Sequence, residues 1–235
     1  MISSSRVFDE SASDYDHWFD NHGEVYAAQV RLLQDAVPQG GCNLELGVGS
    51  GRFAVPLGIR YGIDPSIKLL AIAKTRGIEI VQGEGEHLPY REEIFDCVLM
   101  MTVICFLDDP PGVMQETFRV LVRGGYLVLC FMEKNGEIAL QYRQEKTKGR
   151  FLRFARFLTA DEVARLMEDA GFSGVSVIWR TRGFCVMKGW KATGGDKTKN
   201  IFRPAGIGTI PVLSSGSICQ PVPREKENSG NKKTG

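Results

Sequence analysis

The chain has 235 residues, 43% hydrophobic and 24% charged, with a formal net charge of +1. That length suits one large domain with a buried core, and the near-neutral balance provides no global field to draw in nucleic acid or an anionic membrane. No apolar run reaches the ~18 residues of a membrane-spanning helix, and the first ten residues lack the basic and apolar regions of a signal peptide. The six cysteines (Cys42, Cys97, Cys105, Cys130, Cys185 and Cys219) form no C-x-x-C pair. Most lie in apolar runs, so free buried thiols and a reducing, cytoplasmic setting are expected. His17, His22 and His87 show no metal-ligand spacing, and no metal is expected.

In chain order, residues 11–37 carry Tyr15, Trp18, Phe19, Val25, Tyr26, Val30, Leu33 and Val37 at helical spacing. Asn21-His22-Gly23 divides this stretch into two helices. A first strand is expected over about 42–46, a short helix after Gly51, a second strand over about 60–63 and a helix from Ser66 to Arg76 that Gly77 ends. Strands follow at 78–81 and at Phe95–Met101, the latter apolar almost throughout, as a strand buried on both faces would be. Asp108-Asp109-Pro110-Pro111 opens a helix to about Val122, which Gly124-Gly125 closes before a fifth strand, Tyr126–Met132. A basic, aromatic insertion occupies 137–157. Thr159 and Glu162 have the spacing of a capping box for a helix that stops at Gly171. Gly174–Arg180 and Phe184–Gly189, separated by three residues, predict an antiparallel hairpin. Residues 190–235 hold eight Lys/Arg against three Asp/Glu with little periodicity, and read as a flexible polar tail. The alternation implies an α/β fold with helices on both faces of a mostly parallel sheet.

The segment that points to function is Leu44–Phe53, Leu-Glu-Leu-Gly-Val-Gly-Ser-Gly-Arg-Phe. An apolar strand ends in an acid and leads into glycines at 47, 49 and 51. The second strand ends in Tyr61-Gly-Ile-Asp-Pro-Ser. A glycine turn after one strand and an acid after the next is how an open α/β sheet holds an adenosine-containing cofactor. The dinucleotide fingerprint G-x-G-x-x-G would need a third glycine where Arg52 stands, which argues against an NAD(P)-dependent reductase. The pattern E-x-G-x-G-x-G is complete, and resembles the nucleoside-binding motif of class I S-adenosylmethionine-dependent methyltransferases. The resemblance extends over Tyr61–Ser66, Gly83–Tyr90, Phe95–Pro110 and Arg119–Leu129, and is closest to the ubiquinone- and menaquinone-pathway branch of small-molecule enzymes.

That resemblance implies a Rossmann-like, doubly wound, seven-stranded sheet of order 3-2-1-4-5-7-6 with strand seven antiparallel. It implies an N-terminal helical lid (1–37), a cofactor-binding core (38–189) whose 137–157 insertion caps the substrate, and S-adenosylmethionine as cofactor. Gly47, Gly49 and Gly51 would lie against the methionine and ribose parts, and Glu45 would accept hydrogen bonds relayed from the ammonium group. Asp64 suits the ribose hydroxyls, with a helix N-cap as its structural alternative. Leu69, Glu84 and Gly85 would meet the adenine, Thr102 the sulfonium side, and Tyr15 would close over the cofactor with Trp18 and Phe19. No catalytic base is identifiable; His17 and His22 read as surface groups. The family's His-His after strand four is replaced by Ile104-Cys105-Phe106, which implies an apolar wall there. The expected acceptor is a small molecule, with no nucleic-acid partner and the oligomeric state left open. A non-catalytic cofactor-binding module is the alternative.

Overall fold

The computed structural model describes residues 4–144, 151–181 and 183–193. Lys146, Lys148 and Arg150 of the basic insertion, Cys219 and the tail from residue 194 lie outside the described residues. Three helices lead the chain: α1 (Ser4–Glu10), α2 (Ala12–Asn21) and α3 (Gly23–Gln34). The break at 22–23 falls where Asn21-His22-Gly23 places it. Helix α1 is an addition to the sequence reading: with only Val7 and Phe8 apolar it shows no period of its own.

The sheet comprises β1 (Asn43–Leu46), β2 (Tyr61–Asp64), β3 (Glu79–Gln82), β4 (Phe95–Met101), β5 (Leu121–Met132), β6 (Ser173–Arg180) and β7 (Phe184–Trp190). Its order is β3-β2-β1-β4-β5-β7-β6, with β7 antiparallel to both neighbours, as the resemblance implies. Helices α4 (Ile67–Thr75), α5 (Pro110–Val120) and α7 (Ala160–Asp169) make crossovers, and α6 (Glu137–Gln144) lies within the insertion.

Two apolar layers hold this sheet. On one face Val98, Met100, Leu127 and Leu129 pack with Val113, Met114, Val163 and Met167 of α5 and α7. On the other, Cys97, Leu99, Val128 and Cys130 pack with Leu33 of α3, with Leu70 of α4 and with Leu57 of the segment between β1 and β2. Successive strand residues point to opposite faces, so a central strand covered on both sides must be apolar at nearly every position. The capping box at the start of α7 is formed in both directions, Thr159 Oγ1 accepting from the Glu162 N–H and Glu162 Oε2 from the Thr159 N–H.

Three details differ from the sequence reading. Residues 51–58 form successive turns rather than a helix. Pro56 has no N–H to give to the Arg52 carbonyl, and the Tyr26 hydroxyl of α3 donates to that carbonyl instead. Gly124 and Gly125 lie inside β5, not at a helix end, and the β4–β5 register shifts between Phe95 and Cys97 to admit them. Pairing continues past Gly189: the Lys191 N–H donates to the Gly125 carbonyl, and its Nζ donates to the carbonyls of Phe118 and Leu121. Cys97, Cys105, Cys130 and Cys185 are free and buried as expected.

One glycine governs where β1's exit lies. A Cβ on Gly62 in β2 would stand 2.7 Å from both methyls of Val48 in the turn after β1. Val48 is 4% exposed and has nowhere to retreat. Gly62→Ala is therefore expected to lower the melting temperature by about 2–10 °C, from an overpacking penalty of about 1–3 kcal/mol. Calorimetry giving an unchanged midpoint would show that Val48 yields freely.

Candidate active site

The chain leaves β1 through left-handed backbone at Gly47 (φ +74°), Gly49 (φ +53°) and Gly51 (φ +80°), a conformation that side chains disfavour. The Gly49 N–H donates to Asp64 Oδ2 at 2.9 Å, and the Ser66 N–H donates to Asp64 Oδ1 at 2.8 Å. Asp64 thus ties the turn after β1 to the turn after β2. It is not the N-cap of α4; Ser66 is, its Oγ accepting from the Leu69 N–H.

A cavity of about 760 Å³ opens at the C-terminal ends of β1, β2 and β4. Gly47, Gly49, Asp64, Leu69, Glu84, Gly85, Thr102 and Tyr15 line it. Glu45 and Gly51 do not. Gly51 faces away: a Cβ there would meet Ala73 and Ile78 at 3.3–3.4 Å, so its smallness lets the turn pack on α4. Glu45 lies beneath the turn at 1% exposure, with Oε2 lacking any hydrogen-bond partner.

Burial pushes the Asp64 carboxyl up to about 6, against the opposing hydrogen bonds from the Ser66 and Gly49 N–H groups. Burial also drives Glu45 well above the usual carboxylate range; the Ala54 N–H opposes this and the nearby Asp64 charge adds to it. Tyr15 is pushed up by burial and by the charges of Asp64 and Glu45.

The sequence reading foresaw Tyr15 and the segment of Phe106 in the upper wall, but not Phe8 or Phe151. Phe8 of α1 stacks on Phe151 at 5.0 Å and meets Phe106 edge-on at 5.1 Å, and Tyr15 meets Phe8 and Phe151 at 5.5 and 5.8 Å. Phe106 supplies the apolar wall expected after β4, while Ile104 and Cys105 turn into the core. Three segments far apart in sequence make this cluster, and only the seven-residue interval from Phe8 to Tyr15 hints at a shared face. Thr102 has φ +58°, unusual for a β-branched residue. His17 and His22 face solvent, His17 bonded to the Ser13 carbonyl and His22 to the Trp18 carbonyl; neither lines the cavity.

The model of the methyltransferase domain family matches residues 44–129. The solved structure of an S-adenosylmethionine-dependent methyltransferase, a possible histamine N-methyltransferase from Thermotoga maritima, is 32% identical with a TM-score of 0.73, covering 80% of this chain and 99% of that one. The chain belongs to the class I S-adenosylmethionine-dependent methyltransferases. This methyltransferase is also 37% identical over 169 residues to an uncharacterized protein of Methanocaldococcus jannaschii, covering 72% of this chain and 82% of that protein. It is 26% identical over 199 residues to the malonyl-[acyl-carrier protein] O-methyltransferase of Geobacter sulfurreducens, covering 75% and 73%. No helix among the described residues is long and apolar enough to cross a membrane.

The raised Asp64 value gives the methyltransferase a pH signature. The fold favours protonated Asp64, so its contribution is full below about pH 4, the ordinary carboxylate value, and is lost as pH rises through about 6. Asp64→Asn removes that titration. Between pH 4 and 6.5 the wild type is expected to lose about 2–3 kcal/mol relative to the variant. Parallel stability curves for the two proteins across that range would refute the buried titration.

Proposed function

We propose that this enzyme methylates a small molecule held in the aromatic chamber above the glycine turn. The observation that carries the reading is that one cavity is lined both by Gly49 and Asp64 and by the wall of Phe8, Tyr15, Phe106 and Phe151. Its volume lies within the range of about 300–1,000 Å³ typical of small-ligand sites. The relative named as a possible histamine N-methyltransferase supports the same class of acceptor.

The residues present fit S-adenosylmethionine. Asp64 has two carboxylate oxygens at the cavity wall, and Gly49 leaves open the space that a side chain would take beside Tyr15. In this reading Asp64 holds the ribose hydroxyls, Leu69, Glu84 and Gly85 flank the adenine, and Thr102 borders the reacting side. Glu45 acts through the turn above it rather than by contact. When bound, the cofactor supplies a methyl group already activated on sulfur.

The chain's own task is then alignment. The titratable groups lining the described cavity are Tyr15, Asp64, Glu84, Glu86, His87, Asp108 and Asp109. None of these stands in the aromatic wall except Tyr15, whose raised pKa keeps it neutral. Catalysis rests on proximity and orientation, with α1 and α2 closing over the site to exclude water. The exposed acids Glu84 and Asp109 at the rim would repel a phosphate backbone, which disfavours RNA as acceptor.

The test is to incubate the enzyme and methyl-labelled cofactor with a low-molecular-mass metabolite extract, total tRNA and total protein in parallel. Label is expected in the small-molecule fraction alone. Gly49→Val, whose side chain enters 3.4 Å from the Tyr15 ring, is expected to weaken adenosylhomocysteine binding at least 100-fold, about 2.7 kcal/mol. Label appearing in tRNA or protein would overturn the acceptor class; undiminished binding by the variant would overturn the placement of the cofactor.

A further inference from the structure

One sheltered carboxylate joins helix α2 both to the glycine turn and to the end of α4. Asp16 of α2 accepts from Arg52 Nε at 2.8 Å and Arg52 Nη2 at 3.0 Å, and from Arg76 Nη1 and Nη2 at 2.7 Å each. Arg52 belongs to the turn after β1, and Arg76 is the C-cap residue of α4. Arg76 Nη1 also donates to the carbonyl of Ser50, inside the glycine turn, at 2.6 Å. Asp16 and Arg52 have side chains only 14% and 18% exposed, so the pairing is sheltered from solvent. Burial alone would raise the Asp16 carboxyl, but the hydrogen bonds from Arg76 and Arg52 outweigh it and hold it below the usual range. Asp20, one turn further along α2, takes Arg52 alone and is 54% exposed.

The residue before Asp16 is Tyr15. Its ring lies 3.4 Å from where a Gly49 Cβ would stand, and it packs on Phe8 and Phe151. One short stretch of α2 therefore holds the glycine turn through position 16 and the aromatic wall through position 15. Bidentate guanidinium–carboxylate pairs fix direction as well as distance.

We propose that Asp16 is a positioning residue that couples cofactor binding to the ordering of the acceptor chamber. The proposal deepens the reading of that chamber as the acceptor site, and rests on it. Its mechanism is differential: the arginine fork holds α2 most firmly when the turn is in its liganded form, so each binding event favours the other. Asp16 touches neither ligand; it acts through Tyr15, Ser50 and Arg52.

Hydrogen exchange over residues 4–34, measured with and without saturating adenosylhomocysteine, tests the coupling. In wild type the ligand is expected to slow exchange in α1 and α2. Asp16→Asn is expected to bind adenosylhomocysteine about tenfold more weakly, about 1.4 kcal/mol, and to show no ligand-dependent slowing when fully saturated. Arg76→Gln removes the second arm while leaving the Arg52 pair, so α2 stays docked; it is expected to lose the slowing too. Asp20→Asn, which removes charge from the same helix, should keep it. A purely structural role for Asp16 would speed exchange equally with and without ligand and would lower the melting temperature in proportion. Retained slowing in Asp16→Asn, or its loss in Asp20→Asn, would overturn the proposal. Calorimetry separates this from the site itself: absence of adenosylhomocysteine binding by wild type would overturn both readings, whereas binding without slowing overturns only the coupling.

Discussion

The hydrogen bond from the Gly49 N–H to Asp64 joins the exits of β1 and β2, beside those from the Gly47 and Val48 N–H groups to the Ile63 carbonyl. It fixes the height of the glycine turn above β2, and the hollow at Gly62 fixes its lateral place by admitting Val48. With both constraints met, the cavity opens over the C-terminal ends of the strands, where an open α/β sheet reverses its winding. The same bond demands that Asp64 be buried, and Asp64 lies close enough to Glu45 for the two charges to oppose each other. Neither carboxyl forms an ion pair among the described residues. Such a pair, desolvated and mutually repelling, favours protonation or a cationic ligand over two free charges. The raised values of both acids follow first from that burial.

The N-terminal segment meets this core with its own acids. Asp9 accepts from the Ser66 hydroxyl and from the Lys68 N–H at the start of α4, Asp16 binds Arg52 and Arg76, and Asp20 binds Arg52. An anion at a helix N-terminus is favourable because the first N–H groups of a helix have no internal acceptors. Between these anchors the aromatic faces of Phe8, Tyr15 and Phe19 carry the apolar contact. The polar bonds set the register of α1 and α2 on the core, while the rings make the wall. Arg52, whose presence argues against a dinucleotide motif, has a second use here as the fork that receives α2.

Much of this was legible in the sequence for a definite reason. Central strands covered on both faces must be apolar throughout, so β4 stands out by composition, and the glycine and acid positions around β1 and β2 follow from backbone geometry that few other residues allow. What escaped depends on contacts between distant segments. The turns at 51–58 need Tyr26 to satisfy a carbonyl that Pro56 leaves free. Gly124 and Gly125 look like a helix stop but serve a register shift within a strand. Gly51 belongs to the glycine series by spacing, yet its face is turned to α4 by the path of the chain. Glu45 is in the motif but out of the cavity, because alternation along β1 points it beneath the turn. Phe8, Phe106 and Phe151 form one wall from three segments, and no local pattern announces that.

Thr102 shows how the end of β4 is held to the same standard as the end of β1. A left-handed β-branched residue costs on the order of 1–3 kcal/mol and persists only where its surroundings over-determine it. Here its N–H donates to the Cys130 carbonyl at 2.7 Å, its Oγ1 to the Met101 carbonyl at 2.8 Å, and its own carbonyl accepts from Cys105 Sγ. The turn it makes sends Val103 against Gly47, where a Cβ would stand 2.3 Å from a Val103 methyl. Gly47 is therefore required twice over, once by its own φ and once by its neighbour across the sheet. The exits of β1 and β4 interlock through that pair as the exits of β1 and β2 do through Gly49 and Asp64. Three strand ends are thereby set relative to one another with little freedom left, and an enzyme whose chemistry consists of aligning a nucleophile with an activated methyl group depends on that rigidity more than on any single reactive side chain.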